Sequence, residues 1–215
     1  HVDHSLAAPQ VSVHVTYGGC VNMLEAVRWV NQAIKVFQPV SATMFGDAKP
    51  PQTERTPLNP LSPYACAKAA AWYTVQYYRK VYGTFVCAGI LFNHDSPRRG
   101  AEYLLHKIVK AAKEGRQLTD NLNLRVDIGY AGELAEGFWR MMQLDTPDDF
   151  VLATGKPWQI GKLQNCAQEE TGKPGNSLKS SPFGRPGPPN ELLGDADKAR
   201  KAFGWNPKYD ALSVL

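Results

Sequence analysis

No glycine-rich phosphate loop occurs anywhere in the 215 residues, and no starting methionine precedes the opening HVDHSLAA. These two absences lead us to expect a chain incomplete at its front. Cys20, Cys66, Cys87 and Cys166 have no CxxC or His/Cys ligand spacing, which argues against a metal site. Cys20, Cys66 and Cys87 lie in apolar surroundings and read as small core residues. No apolar run reaches membrane-spanning length, and no basic-then-apolar leader opens the chain, so the expected location is the cytoplasm with no membrane partner. Lys and Arg total 24 against 20 Asp and Glu. They are scattered and form no stripe interleaved with aromatics, so a nucleic-acid partner is not expected. The small positive balance suits an anionic small molecule, or simply a slightly basic surface.

What is present is enough apolar sequence for one large core, or for a main domain with a smaller lobe. HVDHSLAA reads as a strand leading to a tight Ala-Ala turn. Apolar residues recur at helical period over 19–34, at Val21, Leu24, Val27 and Val30–Ile34. Lys35–Val40 reads as a short strand ending at Ser41, followed by a loop with five prolines, Pro50, Pro51, Pro57, Pro60 and Pro63. A second helix is predicted over 64–81, stopped by Gly83. The continuous apolar run at 84–93 fits a parallel strand covered on both faces. Further helices are expected over 101–114 and 130–144, a short strand over 149–153, and a helix over 195–203. Residues 171–190 read as a loop or linker, or as two fragments joined across missing residues. Alternating strands and helices predict an α/β layered sheet.

In such a sheet, ligands bind beyond the carboxyl ends of the strands. Ser41 ends one predicted strand, Asn93 and His94 follow another, and the helix of Tyr64 starts between them in sequence. Tyr64 and Lys68 stand at i,i+4 on one helix face, so the ammonium can favour the ionised phenol. The expected chemistry is oxidation of a sugar alcohol. Tyr64 takes the hydroxyl proton while hydride leaves the same carbon for a nicotinamide. Lys68 lowers the phenol pKa and holds a cofactor ribose hydroxyl, and Ser41 donates to the reacting oxygen or shuttles its proton. Each residue also has a plain structural alternative: a helix-start tyrosine, a solvated lysine and a turn hydroxyl.

On these residues the chain resembles the extended short-chain dehydrogenase/reductases acting on nucleotide sugars, most closely the GDP-mannose 4,6-dehydratases. SPYACAK at 62–68 looks like the family's catalytic helix, and LAA at 6–8 like its strand end over the cofactor. GILFNHDSPRRG at 89–100 resembles its substrate loop. RxDxG at 125–129 and ELLGDADKARKAFGW at 191–205 match later segments in order. The resemblance implies a Rossmann-like doubly wound parallel sheet with a smaller C-terminal substrate lobe. Residues 1–100 would be mainly the dinucleotide-binding domain, and 101–215 mainly the nucleotide-sugar lobe with segments returning to the sheet. It implies NADP or NAD as cofactor, with NADP favoured, and a homodimer or homotetramer pairing through the helices at 19–34 and 64–81. Cofactor contacts would fall on Leu6, Ala7, Ala8, Tyr64, Lys68, Asn93, His94 and Arg99. Substrate contacts would fall on Ser41, Asn93, Arg98, Arg125 and Arg185, with Asn121 shaping the pocket. Structural alternatives stand beside these roles: a turn cap for Asn93, surface charge for Arg98 and Arg99, a salt bridge for Arg125 and loop packing for His94.

The pattern breaks at one place. The resembled dehydratases carry Thr-x-Glu, whose carboxylate removes the C5 proton and protonates the leaving C6 hydroxyl. Here the triplet is Ser41-Ala42-Thr43, and Thr43 has no group titrating near neutrality. SATMFGD at 41–47 instead resembles UDP-sugar 4-epimerases, which need no such carboxylate. Asp47 and Glu54 in the following loop are candidate displaced carboxylates, or ordinary turn acids. The expectation is a nucleotide-sugar 4,6-dehydratase on a GDP-mannose-like substrate. The alternatives are a 4-epimerase or related oxidoreductase, and a non-catalytic cofactor-binding scaffold.

Overall fold

In the computed structural model, which describes residues 2–118, 122–173 and 191–215, α1 (Val2–Ala7) and α2 (Pro9–Val13) come first. A π-helical turn at His14–Gly18 leads into α3 (Gly19–Val30). Then follow β1 (Val36–Ser41), a 3-10 turn at Ala42–Phe45, α4 (Pro63–Tyr82), β2 (Val86–Leu91), β3 (Asn93–Asp95) and α5 (Leu104–Lys113). The order continues with β4 (Arg125–Val126), β5 (Ile128–Tyr130), α6 (Ala131–Met141) and β6 (Asp149–Leu152). After it come β7 (Trp158–Gln159), α7 (Ile160–Thr171), α8 (Asp197–Phe203) and α9 (Ala211–Val214).

The strand predicted across HVDHSLAA is a helix instead. The Ala8 N–H donates to the His4 carbonyl at 2.9 Å, and Ser5 Oγ donates to the Val2 carbonyl at 2.6 Å. A strand needs a neighbour to take its backbone polar groups, whereas a helix satisfies them internally. Leu6 and Ala7 are also good helix formers. Pro9 then sits in the first turn of α2, where a missing N–H does no harm.

β1, β2 and β6 form a parallel sheet in that order. Ser41 lies level with Leu91, and Leu91 with Leu152, so the three carboxyl ends share one edge. β2 is buried along Val86–Ile90, as the continuous apolar run requires. Gly89 makes room within it: a Cβ there would come 2.7 Å from the Phe37 ring, which stacks on Phe138 at 4.3 Å. One face of the sheet packs on α3 and α4 through Leu24, Val40, Val75 and Ile90. The other packs on α6 and α8 through Leu134, Met141, Leu152 and Trp205. Each such side chain contributes roughly 1.5–3 kcal/mol by leaving water. The architecture is a Rossmann-like parallel sheet.

A smaller C-terminal lobe gathers α5, α7 and α9 around Leu105, Ile108, Ile160 and Leu163. β3 joins β5 in parallel, and β4 joins β7 antiparallel. Gln52, fully buried, ties the Pro-rich loop to the segment at 191–195. Its amide Nε2 donates to the Ala48 and Glu191 carbonyls at 2.8 and 3.1 Å, and its Oε1 accepts the Leu193 N–H at 2.9 Å. Cys20 and Cys87 are buried as expected, but Cys66 is exposed. The buried stripe of α4 runs through Ala65, Trp72 and Val75, and position 66 falls outside it. Among the described residues, no helix is long and apolar enough to cross a membrane.

Candidate active site

Ser41 is extended backbone at the end of β1, and its side chain caps the turn that follows. Ser41 Oγ accepts the Thr43 N–H at 3.3 Å and the Thr43 hydroxyl at 3.0 Å. Gly46 closes the turn with φ +58°, and a Cβ there would meet the Asn59 carbonyl at 1.8 Å. Only glycine fits both conditions.

Across from this turn, Ser62 Oγ accepts the Ala65 N–H at 3.1 Å and Pro63 opens α4. Ser-Pro is a strong helix start because it caps one N–H and removes another. Tyr64 therefore sits on the first turn, where the unpaired N–H dipoles favour negative charge. Its phenol hydrogen-bonds with Ser41. Lys68, one turn further on, donates to the Pro39 carbonyl at 2.8 Å. Its ammonium lies 5.7 Å from the centre of the Tyr64 ring. The structure thus brings Ser41, Tyr64 and Lys68 together at the carboxyl edge of the sheet.

The electrostatics differ from expectation. Burial pushes the Tyr64 phenol up from its ordinary value. The hydrogen bond with Ser41 pulls it down, Tyr103 pushes it up, and the Arg99 charge pulls it down. Arg99, not Lys68, is the cation acting on the phenol. The Lys68 ammonium is turned to Pro39, and burial pushes its own pKa down against the opposing effect of the Cys20 thiol. The Arg99 guanidinium lies 3.6 Å over the Tyr103 ring, with its Nε buried and without a hydrogen-bond partner. Tyr103 belongs to the site, yet it lies in a loop and in no motif.

The remaining sequence-predicted residues are distributed as follows. His94 Nδ1 pairs with the Phe92 carbonyl at 3.0 Å, and burial pushes its pKa down. Asn93 and Arg98 are exposed. Arg125 forms an ion pair with Glu191 at 2.9 Å. Leu6, Ala7 and Ala8 are exposed on and just after α1, not at a strand end. Asn121 and Arg185 lie outside the described residues. Asp47 accepts from Asn59 at 2.6 Å, and Glu54 accepts the Val151 N–H at 2.7 Å. Both candidate carboxylates are engaged in holding the loop.

Asp127, the Asp of RxDxG, is fully buried. It accepts the Thr154 N–H at 3.0 Å, the Thr154 hydroxyl at 2.5 Å and the Gly155 N–H at 2.9 Å. This carboxylate locks the lobe to the end of β6, so its motif is structural. A groove of about 820 Å³ lined by Trp72, Asp149 and Lys198 lies beside the amino end of β6, away from Ser41 and Tyr64.

The sheet and helices superpose on those of solved nucleotide-sugar enzymes. The UDP-glucose 4-epimerase of Thermotoga maritima, solved with UDP-glucose, matches at TM-score 0.89 and 18% identity, covering 99% of this chain and 71% of that one. The dTDP-glucose 4,6-dehydratase of Streptomyces venezuelae, solved with NAD, matches at TM-score 0.89 and 20% identity, covering 100% and 67%. At such identities these likenesses speak for the fold. In sequence, GDP-mannose 4,6 dehydratase 1 of Arabidopsis thaliana is 40% identical over 222 residues, covering 97% of this chain. The chain spans 61% of that relative's length. The family model described as GDP-mannose 4,6 dehydratase matches residues 1–215. The chain belongs to the GDP-mannose 4,6 dehydratase family.

Proposed function

We propose that the full protein is an NAD(P)-dependent nucleotide-sugar 4,6-dehydratase acting on a GDP-mannose-like substrate through a 4-keto intermediate. The observation that carries the redox half is the meeting of Ser41, Tyr64 and Lys68 at the carboxyl edge of the sheet. Family membership along the whole chain carries the choice of substrate and product.

When bound, the nicotinamide accepts and returns hydride. Lys68 fits a ribose hydroxyl, because its ammonium has three donors and the Pro39 carbonyl takes one. NADP is the favoured form. Tyr64, ionised, removes the proton of the sugar C4 hydroxyl, and Ser41 donates to the same oxygen. The buried Arg99 Nε fits an anionic phosphate or sugar oxygen. Asn93, His94, Arg98, Arg125 and Arg185 border the substrate in the same reading, as Leu6, Ala7 and Ala8 border the cofactor. Residues 1–100 serve the dinucleotide and 101–215 the sugar nucleotide.

A second reading, a 4-epimerase or related C4 oxidoreductase, is favoured by one observation. Thr43 occupies the position of the dehydratase carboxylate, while Asp47 and Glu54 are bound elsewhere. Such an enzyme oxidises C4 and reduces the other face without losing water.

We further propose a homodimer or homotetramer, supported by the exposed Trp29, Tyr73, Tyr77 and Val81 on α3 and α4. The four free thiols support a cytoplasmic location. Incubating the full-length protein and NADP with GDP-mannose and a panel of UDP- and CDP-hexoses, followed by NMR, tests the reading. A 4-keto-6-deoxy product supports it; exchange at C4 without loss of water replaces it with the second reading.

A further inference from the structure

A hydroxyl has one proton to donate and two lone pairs with which to accept. Ser41 Oγ accepts twice from the same residue, from the Thr43 N–H at 3.3 Å and from the Thr43 hydroxyl at 3.0 Å. Both lone pairs are therefore filled, and only the Ser41 proton is left. The side chain within reach on the other side is the Tyr64 phenol.

We infer that Thr43 is a positioning residue that makes Ser41 an obligate donor, aimed at the Tyr64 oxygen and at any substrate oxygen placed beside it. A carboxylate at this position has no proton to give, so a glutamate would leave one Ser41 lone pair open. A donor-only Ser41 stabilises the ionised phenol. It also cannot take up a substrate proton, which removes the shuttle role and leaves Tyr64 to receive the proton itself. The donor role toward the phenol stands on the protein's own atoms; its use on a sugar C4 oxygen rests on the proposed function.

The charged and titratable groups around the phenol are Lys68 on its own helix, and Arg99 and Tyr103 from the loop between β3 and α5. Behind them stand Cys20 of α3, which faces Lys68, and His94, which faces Arg99. All of them stay in place when Thr43 changes, so any shift in Tyr64 reports the hydroxyl pair.

The test is a titration of Tyr64 in the full-length protein labelled with 13Cζ-tyrosine, its resonance assigned by loss in Tyr64→Phe. Thr43→Val and Thr43→Ala free a Ser41 lone pair, which can then accept the phenol proton and stabilise the neutral form. Both variants should titrate at higher pH than wild type, in the direction of Ser41→Ala, whereas Thr43→Ser should titrate like wild type. Thr43→Val combined with Ser41→Ala should match Ser41→Ala alone. An unmoved Tyr64 in both Thr43→Val and Thr43→Ala overturns the inference, as does a further rise in the double variant. No substrate enters this measurement, so its failure is separable from failure of the proposed function.

Discussion

Lys68 Nζ meets the Pro39 carbonyl at 2.8 Å, two residues before Ser41. This one bond fixes the first turns of α4 against β1 and sets the phenol beside the serine. It also directs the ammonium to the strand and leaves Arg99 as the cation that lowers the Tyr64 pKa. The catalytic pair on the helix and the strand-end hydroxyl are thereby one rigid unit.

Tyr64→Phe should remove the group that receives the C4 proton. Turnover should fall on the order of 10²–10⁴-fold with the fold intact. Steady-state kinetics beside circular dichroism checks this. Turnover at the wild-type rate would place the chemistry elsewhere.

Arg99→Gln and Arg98→Gln should separate cleanly. Oxidation needs the ionised phenol, so its rate rises with pH through the Tyr64 pKa. Removing the Arg99 charge raises that pKa, moves the limb to higher pH and lowers the rate at any pH below it. Arg98 is exposed, and its loss should leave the limb in place. The pH profile of kcat for the two variants is the measurement.

Asp149→Ala should be among the most destabilising single changes. This buried carboxylate accepts from Trp72 Nε1 at 2.8 Å, Gln76 Nε2 at 3.0 Å and Arg79 at 2.5 Å. Removing it strands three donors, one of them charged, and should cost ~3–5 kcal/mol. Denaturant midpoints give the value directly.

Asp127 gives a pH signature. Burial holds its folded-state pKa above the ordinary 3.8, with its hydrogen bonds opposing. The folded state then binds the proton more tightly than the unfolded one. This group's contribution to stability falls as pH rises from the ordinary value through the raised one. Asp127→Asn should abolish that slope while weakening the fold, because an amide nitrogen would face backbone N–H groups. Urea midpoints across the acid range compare the two proteins.

Much of the scaffold is legible before folding. Gly83 stops the helix predicted over 64–81 with φ +66°, and the apolar run at 84–93 becomes the buried β2. Both signals are local. α7 is not legible, because Gly161 lies in its first turn and only Ile160, Leu163, Gln164 and Ala167 are buried. Half its inner face is polar or small, since it packs on α5 rather than on the sheet. The site divides the same way. Ser41, Tyr64 and Lys68 lie in motifs, but Tyr103 reaches the phenol only through the loop that follows β3. Thr43 reads as a missing carboxylate in sequence and becomes a hydroxyl partner of Ser41 in three dimensions.

The most direct measurement follows the hydride itself. The full-length protein should be given GDP-mannose deuterated at C4, and the product examined by NMR. The account predicts a 4-keto-6-deoxy sugar carrying the deuterium at C6. Deuterium remaining on C4 would contradict it.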